Sequence, residues 1–411
     1  MKPITLVVIT AVVVAIVVGA GVWVAKPSEV SGGVATTTIT TTTTVPVSGT
    51  AGVKIGCLWF DPASSDAWTL AFQRAIERIA ARYPNVTYTV KESVAEQDII
   101  DFSKAMIDQG ANILITNTEY LAVKFPQINR EYPNVYFVGN TEGDITTDVN
   151  YIRMYPRYYQ VLYLEGMIAG AITRTNHIGR VLPFALPETV KDASAFALGI
   201  QAVNPNAELD ILYTGSWYDP PTESEVAKTL ISTYNVDVLT QHIGSAAVID
   251  AADKAGIATF GHVIDWVAEG WTTSKSLVIS GVEYWDVMIE QVVKDYMAGV
   301  RYPKNLYFDG FNAFINTSSG PIYTVDLASN GVIGERALDE LPSWVKDKIG
   351  SDALAKIKEK RQQMIDGVWD PFQEELVDIN GNLRKPAGIS LTPTELLTMD
   401  YYVKGIVAPQ T

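Results

Sequence analysis

The fold class follows from residues 53–90, which read VKIGCLWFDPASSDAWTLAFQRAIERIAARYPNVTYTV. Val53–Phe60 is a short apolar run of strand length, and Val86–Val90 is a second one. Between them, Trp68–Tyr83 places apolar residues at helical spacing. A strand, a helix and a strand in this order predict a βαβ unit, in which parallel strands are covered by helices.

The same alternation continues along the chain and restarts once. In the first half, the further predicted strands are Ala111–Thr116 and Val135–Gly139, and the helices are Glu96–Gln109, Glu119–Glu131 and Tyr158–Thr173. In the second half, the strands are Ile178–Pro183, Glu208–Thr214, Val236–Gln241, Ile257–Gly261 and Leu277–Ser280, and the helices are Glu188–Val203, Pro221–Tyr234, Ser245–Lys254 and Tyr284–Ala298. Two successive α/β units predict two lobes. Ligands bind such sheets at the carboxyl ends of the strands, so two facing lobes would form a cleft that closes by a hinge.

The N-terminus carries an apolar segment followed by a low-complexity one. Ile4–Ala25 would span about 33 Å as a helix, the thickness of a bilayer core. This length favours a retained transmembrane anchor over a cleaved signal peptide, and either alternative places residues 53–411 outside the cytoplasm. The threonine-rich stretch Lys26–Gly52 predicts a disordered linker.

Composition and motifs exclude several classes of function. The net charge of −15, with no run rich in Lys or Arg, argues against nucleic-acid binding. Cys57 is the single cysteine, so no intramolecular disulfide can form, and its strand context predicts an inert buried thiol. The sequence has no G-x-S-x-G or H-E-x-x-H motif, and His262 with Asp265 is a weak match to half a metal site. We expect no catalytic residue, metal or other cofactor.

Aromatic and polar residues concentrate just after the predicted strands. They include Asp66, Trp68, Asn117, Trp217, His242, Asp265, Tyr284 and Trp285. This mixture suits a flat ligand that stacks on indole rings while a few polar groups contact its edge. Two alternatives stay open, because a tryptophan could fill a lobe interior and His242 could be satisfied by backbone groups.

Five segments, in order along residues 53–411, carry a resemblance to a known family. They are Ser65–Thr69, Val203–Ala207, Ser216–Pro220, Asp237–His242, and Leu397–Asp400 with Gly405–Val407. They resemble the D-x-G-W-T, V-N-P-N, S-W-F-D-P, D-V-L-T-Q-H and L-x-x-M-D…G-V-V segments of the basic membrane protein family. Members of that family are the substrate-binding components of ABC importers for purines and nucleosides.

The resemblance implies a site and a ligand class. Its ligand contacts fall on Trp68, Asn117, Leu186, Trp217, His242, Asp265 and Trp285, to which we add Asp66 and Tyr284 as neighbours. Trp68 and Trp217 would come from opposite lobes and sandwich a planar ring, and Asp265 would accept from a ring N–H or amine. Ser280–Trp285 lacks the lysine of nucleoside-binding members, which favours a nucleobase.

The resemblance thus implies an α/β, two-lobed, type I periplasmic-binding-protein-like fold with a three-crossover hinge, to which the apolar segment Ile4–Ala25 would add an N-terminal anchor. We predict these boundaries: 1–25 anchor, 26–52 linker, 53–176 first lobe, 177–282 second lobe, 283–333 hinge return and completion of the first lobe, and 334–411 an extension packed on the lobes. The predicted function is a monomeric, membrane-anchored, extracytoplasmic receptor that delivers a purine nucleobase to an ABC permease and its ATPase. The alternatives are a nucleoside receptor, a surface-anchored hydrolase and a structural surface protein.

Overall fold

The computed structural model describes residues 52–141, 150–300, 306–309 and 341–407. The predicted anchor and nearly all of the predicted linker lie outside these residues. Among the helices of the described residues, none has both the length and the apolar character needed to cross a bilayer.

The described secondary structure is as follows. The strands are β1 Val53–Leu58, β2 Val86–Lys91, β3 Ile113–Thr116, β4 Tyr136–Asn140, β5 Tyr151–Pro156, β6 His177–Leu182, β7 Glu208–Tyr213, β8 Val238–Gln241, β9 Ala258–Gly261, β10 Leu277–Ser280, β11 Leu306–Asp309, β12 Leu376–Val377 and β13 Leu383–Lys385. The helices are α1 Ala67–Arg82, α2 Ile99–Asp108, α3 Glu119–Ala122, α4 Tyr159–Ile172, α5 Pro187–Val203, α6 Pro220–Thr233, α7 Ala247–Ala255, α8 Asp286–Met297, α9 Ser343–Ile365 and α10 Pro393–Leu397.

The first lobe is a parallel sheet in the order β11-β5-β4-β3-β1-β2. Its central strands are buried on both faces, which is why β1 is an almost continuous apolar run in the sequence. Cys57 lies in the middle of that strand and is fully buried, as predicted, and burial raises the pKa of its thiol well above the usual range.

The second lobe is a parallel sheet in the order β10-β9-β8-β6-β7. Two parallel-sheet α/β lobes confirm the predicted fold class. The C-terminal residues 341–407 pack on this lobe, where α9, Phe372 and Leu396 share one buried cluster with α4 and α5. Leu209 of β7 donates its N–H to the Gly405 carbonyl at 2.9 Å and accepts from Val407 at 3.0 Å, so the end of the chain covers the β7 edge.

Helices α4 and α5 cross in close contact because glycines face each other there. A Cβ at Gly166 would lie 2.0 Å from the Phe196 carbonyl oxygen, and a Cβ at Gly199 would lie 2.0 Å from that of Tyr163. Both helices pack against the second-lobe sheet in one buried cluster. That placement brings polar residues of α4 and α5 to the site described below.

Some sequence predictions differ from the structure. The predicted helix Glu119–Glu131 is wrong, because only α3 is helical and two 3-10 turns follow around Pro126, whose ring is disfavoured inside an α-helix. Strands β5 and β11 were not predicted. The boundary predicted at residue 176 assigns α4 to the first lobe, whereas its side chains pack with α5 and the second-lobe sheet. In the structure, the chain therefore changes lobe before α4.

The two lobes are in direct contact. The Ala67 N–H, at the start of α1, donates to the Gly244 carbonyl of the second lobe at 3.1 Å. Arg74 of α1 pairs with Glu269 of the second lobe, with Nη2 to Oε2 at 2.8 Å. We call one buried cluster the interlobe cluster, because it joins second-lobe residues after β9 to α1 and α8; it includes Phe72, Ile76, Trp285, Ile289, Val263, Ile264 and Trp266.

Candidate functional site

Asn117 and Asp66 organise the first-lobe side of the cleft. The fully buried Asn117 amide accepts from the Phe60 N–H at 3.1 Å and donates to Thr69 Oγ1 at 3.0 Å. Asp66 caps α1, where its carboxylate accepts from the Thr69 N–H at 2.8 Å and from the Thr69 hydroxyl at 2.7 Å. These bonds fix the ends of β1 and β3 to the start of α1.

Two of the predicted tryptophans belong to one aromatic group on the first-lobe side. Trp285 is fully buried and stacks on Phe72, with ring centroids 4.1 Å apart. Trp68 is half-buried, lies edge-on to Trp285 at 5.3 Å and donates its indole N–H to the Asn117 carbonyl at 2.7 Å. Trp285 therefore supports the interlobe cluster, and Trp68 is the member of this pair that retains exposed surface.

Trp217 lies on the second-lobe side, in the loop after β7. Its ring lies against Phe184 at 5.9 Å and against His242 at 6.1 Å. Its indole N–H is buried and has no hydrogen-bond partner among the residues that the structure describes. The Trp217 carbonyl accepts from the Gly244 N–H at 3.4 Å, and Gly244 in turn contacts the start of α1, so this loop faces the first-lobe side of the cleft.

His242 lies between two carboxylates at the end of β8. Its Nε2 is 3.2 Å from Glu188 Oε1, and its Nδ1 is 3.5 Å from Asp192 Oδ2. Burial, with Arg180 and Lys191 nearby, holds the pKa of His242 well below its usual range. Burial also raises the pKa of Glu188. A neutral imidazole donates one proton only, so His242 can donate to just one of the two carboxylates.

The other three predicted residues have local contacts. Leu186 precedes α5 and is exposed. Asp265 accepts from the Ala268 N–H at 3.0 Å and thereby caps a turn. Tyr284 is largely buried, with the Arg78 guanidinium 5.3 Å from its ring centroid. Their predicted contacts with a ligand, like those of the six residues above, stay predictions.

A family model described as an ABC transporter substrate-binding protein, PnrA-like, matches residues 53–309. The chain belongs to this Bmp family. Its predicted membership is thereby confirmed, and the family assigns it a small-molecule ligand, an extracytoplasmic location and an ABC permease as partner.

Named relatives of this Bmp-family chain include two with a stated ligand. A purine-binding protein of Brucella abortus (strain 2308) is 26% identical over 363 residues, which cover 86% of this chain and 93% of that protein. A putative ABC transporter glucose-binding protein of Haloferax volcanii is 30% identical over 195 residues, 47% of this chain and 49% of that protein. A solved ABC transporter solute-binding protein of Aeropyrum pernix K1 has a TM-score of 0.60 at 17% identity, covers 77% of this chain and 92% of its own, and shows the shared fold.

A group of buried charged residues at this Bmp-family site was not predicted from the sequence. They are Arg180 on β6, Lys191 and Asp192 on α5, and Glu165 on α4. Arg180 donates to Thr240 Oγ1 at 3.1 Å, and Lys191 lies 4.5 Å from the Tyr155 ring centroid. A signal existed, since an arginine interrupts the apolar strand HIGRVL and a Lys-Asp pair interrupts the apolar α5. A charged side chain inside an apolar run is costly to bury unless it is paired and hydrogen-bonded in the interior.

The pH dependence of stability tests the position of Asp66. Burial against the second lobe raises the pKa of its carboxyl to about 6, although its bonds from Thr69 oppose the rise. The unfolded carboxyl ionises near pH ~3.9, so between about pH 4 and 6 the folded protein binds more protons and loses stability as the pH rises.

We therefore expect Asp66→Asn to gain stability relative to the unsubstituted protein over that interval. Asparagine is also a good helix cap and carries no charge. The gain should reach about 1–2 kcal/mol at neutral pH, below the full two-unit value because an asparagine amide forms weaker hydrogen bonds with Thr69 than the carboxylate does. Thermal unfolding of both proteins across this pH range measures it, and a difference that does not change with pH would contradict the buried position.

Proposed function

We propose that this Bmp-family protein binds a purine nucleobase between its lobes and delivers it to the permease of an ABC importer. The observation that carries this proposal is the corner formed by Trp217, His242 and Glu188. It combines an aromatic face, an indole N–H that has no partner in the described part of the chain, and a histidine–carboxylate pair at the contact between the lobes.

The chemistry of a purine base matches this corner. The ring nitrogens or carbonyl oxygens of a base can accept from the Trp217 indole N–H, whose burial without a partner is unfavourable by about 1–3 kcal/mol. Ring N–H and amino groups can donate to Glu188, and the flat ring can stack on an indole. Stacking a base on an aromatic ring contributes about 1–3 kcal/mol. Trp68, half-buried across the cleft, is the proposed second wall.

The similarity to the purine-binding protein of Brucella abortus supports the ligand class, because it extends over most of both chains. The similarity to the Haloferax volcanii protein covers about half of each chain and makes glucose the competing ligand to test.

A ligand screen by thermal shift decides between these classes. The protein would be heated with adenine, guanine, hypoxanthine, adenosine, guanosine or glucose, each over a range of concentrations. A ligand at a hundredfold excess over its dissociation constant should stabilise the folded protein by about 2.7 kcal/mol. We expect stabilisation by at least one nucleobase. Stabilisation by nucleosides alone would overturn the choice of a base, and stabilisation by glucose alone would overturn the purine class.

A further inference from the structure

The backbone is strained in a three-residue turn directly after β9. The Ile264 N–H donates to the His262 carbonyl at 2.8 Å, and the residue between them, Val263, has a φ of +57°. A hydrogen bond from residue i+2 to residue i with a positive φ at the centre is the rare, strained form of the γ-turn. For a β-branched residue, a positive φ is an outlier, because the Cβ substituents clash with the backbone.

The side chain of Val263 crosses from one lobe to the other. Val263 follows a second-lobe strand, yet its side chain is fully buried in the interlobe cluster with Phe72 of α1 and Ile289 of α8. The strained conformation therefore coincides with a contact that forms only while the lobes are together.

The backbone of the turn is held by both described crossings between the lobes. Tyr158 lies between β5 and α4, and its hydroxyl accepts from the Val263 N–H at 3.4 Å and donates to the Gly281 carbonyl at 3.2 Å. Glu283 lies between β10 and α8 and donates its N–H to the Val263 carbonyl at 3.0 Å. A Cβ at Gly281 would lie 2.6 Å from the Tyr158 hydroxyl, so this close approach requires a glycine.

The turn also adjoins the proposed ligand corner. The His262 ring centroid is 4.3 Å from that of His242, and His262 Nδ1 is 3.3 Å from the Tyr158 hydroxyl. The Tyr158 hydroxyl thus contacts the strained turn at Val263 and the chain between β10 and α8 at Gly281. It also contacts His262, which lies beside His242 of the ligand corner.

We propose that the turn His262–Ile264 is strained only in the closed state and thereby favours reopening of the lobes, with Val263 and Tyr158 as positioning residues. Closure inserts the Val263 side chain into the interlobe cluster and holds its φ positive, and opening withdraws the side chain and lets φ return to negative values. The strain is then present only in the closed state, where it lowers ligand affinity and speeds release to the permease. This inference requires closure around a ligand between the lobes, as in the proposed function, but it does not depend on which ligand binds.

Two substitutions at one position separate strain from burial. Val263→Ala and Val263→Gly both remove the isopropyl group from the interlobe cluster, and they differ by one methyl. Glycine adopts a positive φ without the clash that alanine retains. We expect Val263→Gly to bind adenine roughly three- to tenfold more tightly than Val263→Ala, mainly through slower dissociation in stopped-flow measurements.

A measurement without ligand keeps this test separate from that of the ligand class. Spin labels on cysteines introduced at Ala105 of α2 and Lys228 of α6 report the distance between the lobes by double electron–electron resonance, and the buried Cys57 thiol stays unlabelled. Using the full chain, we expect a larger closed fraction for Val263→Gly than for Val263→Ala. If Val263→Gly has the larger closed fraction but adenine binds to no variant, the proposal of a strained turn is supported and the proposed ligand is wrong. Equal closed fractions in these two variants would overturn the proposal that the turn is strained in the closed state.

Tyr158→Phe provides the rescue test. Loss of the hydroxyl should lower the closed fraction, because the strained turn loses one of its anchors. Adding Val263→Gly should restore it, since a turn without strain does not need that anchor. If Val263→Gly does not restore closure in the Tyr158→Phe protein, Tyr158 acts only through general packing. The proposal of a strained turn anchored by Tyr158 is then rejected.

Discussion

Trp217→Ala is expected to weaken purine binding by about 10- to 100-fold, which corresponds to the loss of one base-stacking contact. The ligand-free protein should unfold at nearly the same temperature, because Trp217 is half-buried in a loop, where its ring lies against Phe184 and His242. Isothermal titration with adenine, alongside thermal unfolding without ligand, measures both quantities.

Two further variants give this experiment its controls. Tyr218→Ala changes the next residue of the same loop, whose side chain is 41% exposed, and should leave affinity nearly unchanged. Trp217→Phe keeps an aromatic face but removes the indole N–H, and should fall between the two. If Trp217→Ala binds adenine as tightly as the unsubstituted protein, the corner around His242 is not the ligand site.

Phe372→Ala is expected to lower the free energy of unfolding by about 3–5 kcal/mol, the usual effect of removing a buried aromatic ring. Phe372 is fully buried beside Tyr159, with ring centroids 5.0 Å apart, and belongs to the second-lobe cluster. It lies outside the residues 53–309 that the family model matches. A large effect would show that the C-terminal region is an integral part of the second lobe.

Leu383→Ala is the matched control in the same C-terminal region. Its side chain is 60% exposed on β13, so the substitution should change the free energy of unfolding by less than about 0.5 kcal/mol. Urea unfolding of both variants gives the comparison. A loss below about 1 kcal/mol for Phe372→Ala would contradict the packing described for residues 341–407.

Most strands could be predicted from the sequence because buried parallel strands are apolar on both faces. The predicted bounds of β10 agree with the structure, and those of β1, β7 and β9 differ by one or two residues at an end. Strand β5 escaped prediction because Arg153 and Pro156 interrupt its apolar pattern, although the arginine is buried at the sheet. The N-terminus of α10 carries a capping box, Thr392–Glu395, and such a signal can be recognised from the local sequence alone.

The site was less predictable because its chemistry depends on burial, which arises from contacts distant in sequence. The loop pattern placed Trp217 and His242 near the cleft, but it could not show that Glu188 and Asp192 flank His242. Nor could it distinguish Trp285, which is fully buried in the interlobe cluster, from Trp217, which is half-buried beside His242. Both tryptophans follow a strand, and only the packing of the lobes separates their roles.

The short bridge between Leu209 and Ile406 has a consequence for how the protein behaves in concentrated solution. An uncovered outer strand offers free N–H and C=O groups to a strand from another molecule, and such pairing leads to aggregation. Proteolytic loss of residues 405–407 would remove one buried apolar side chain, that of Ile406, and would uncover β7. A clipped preparation should therefore remain folded and self-associate with time, which light scattering would detect.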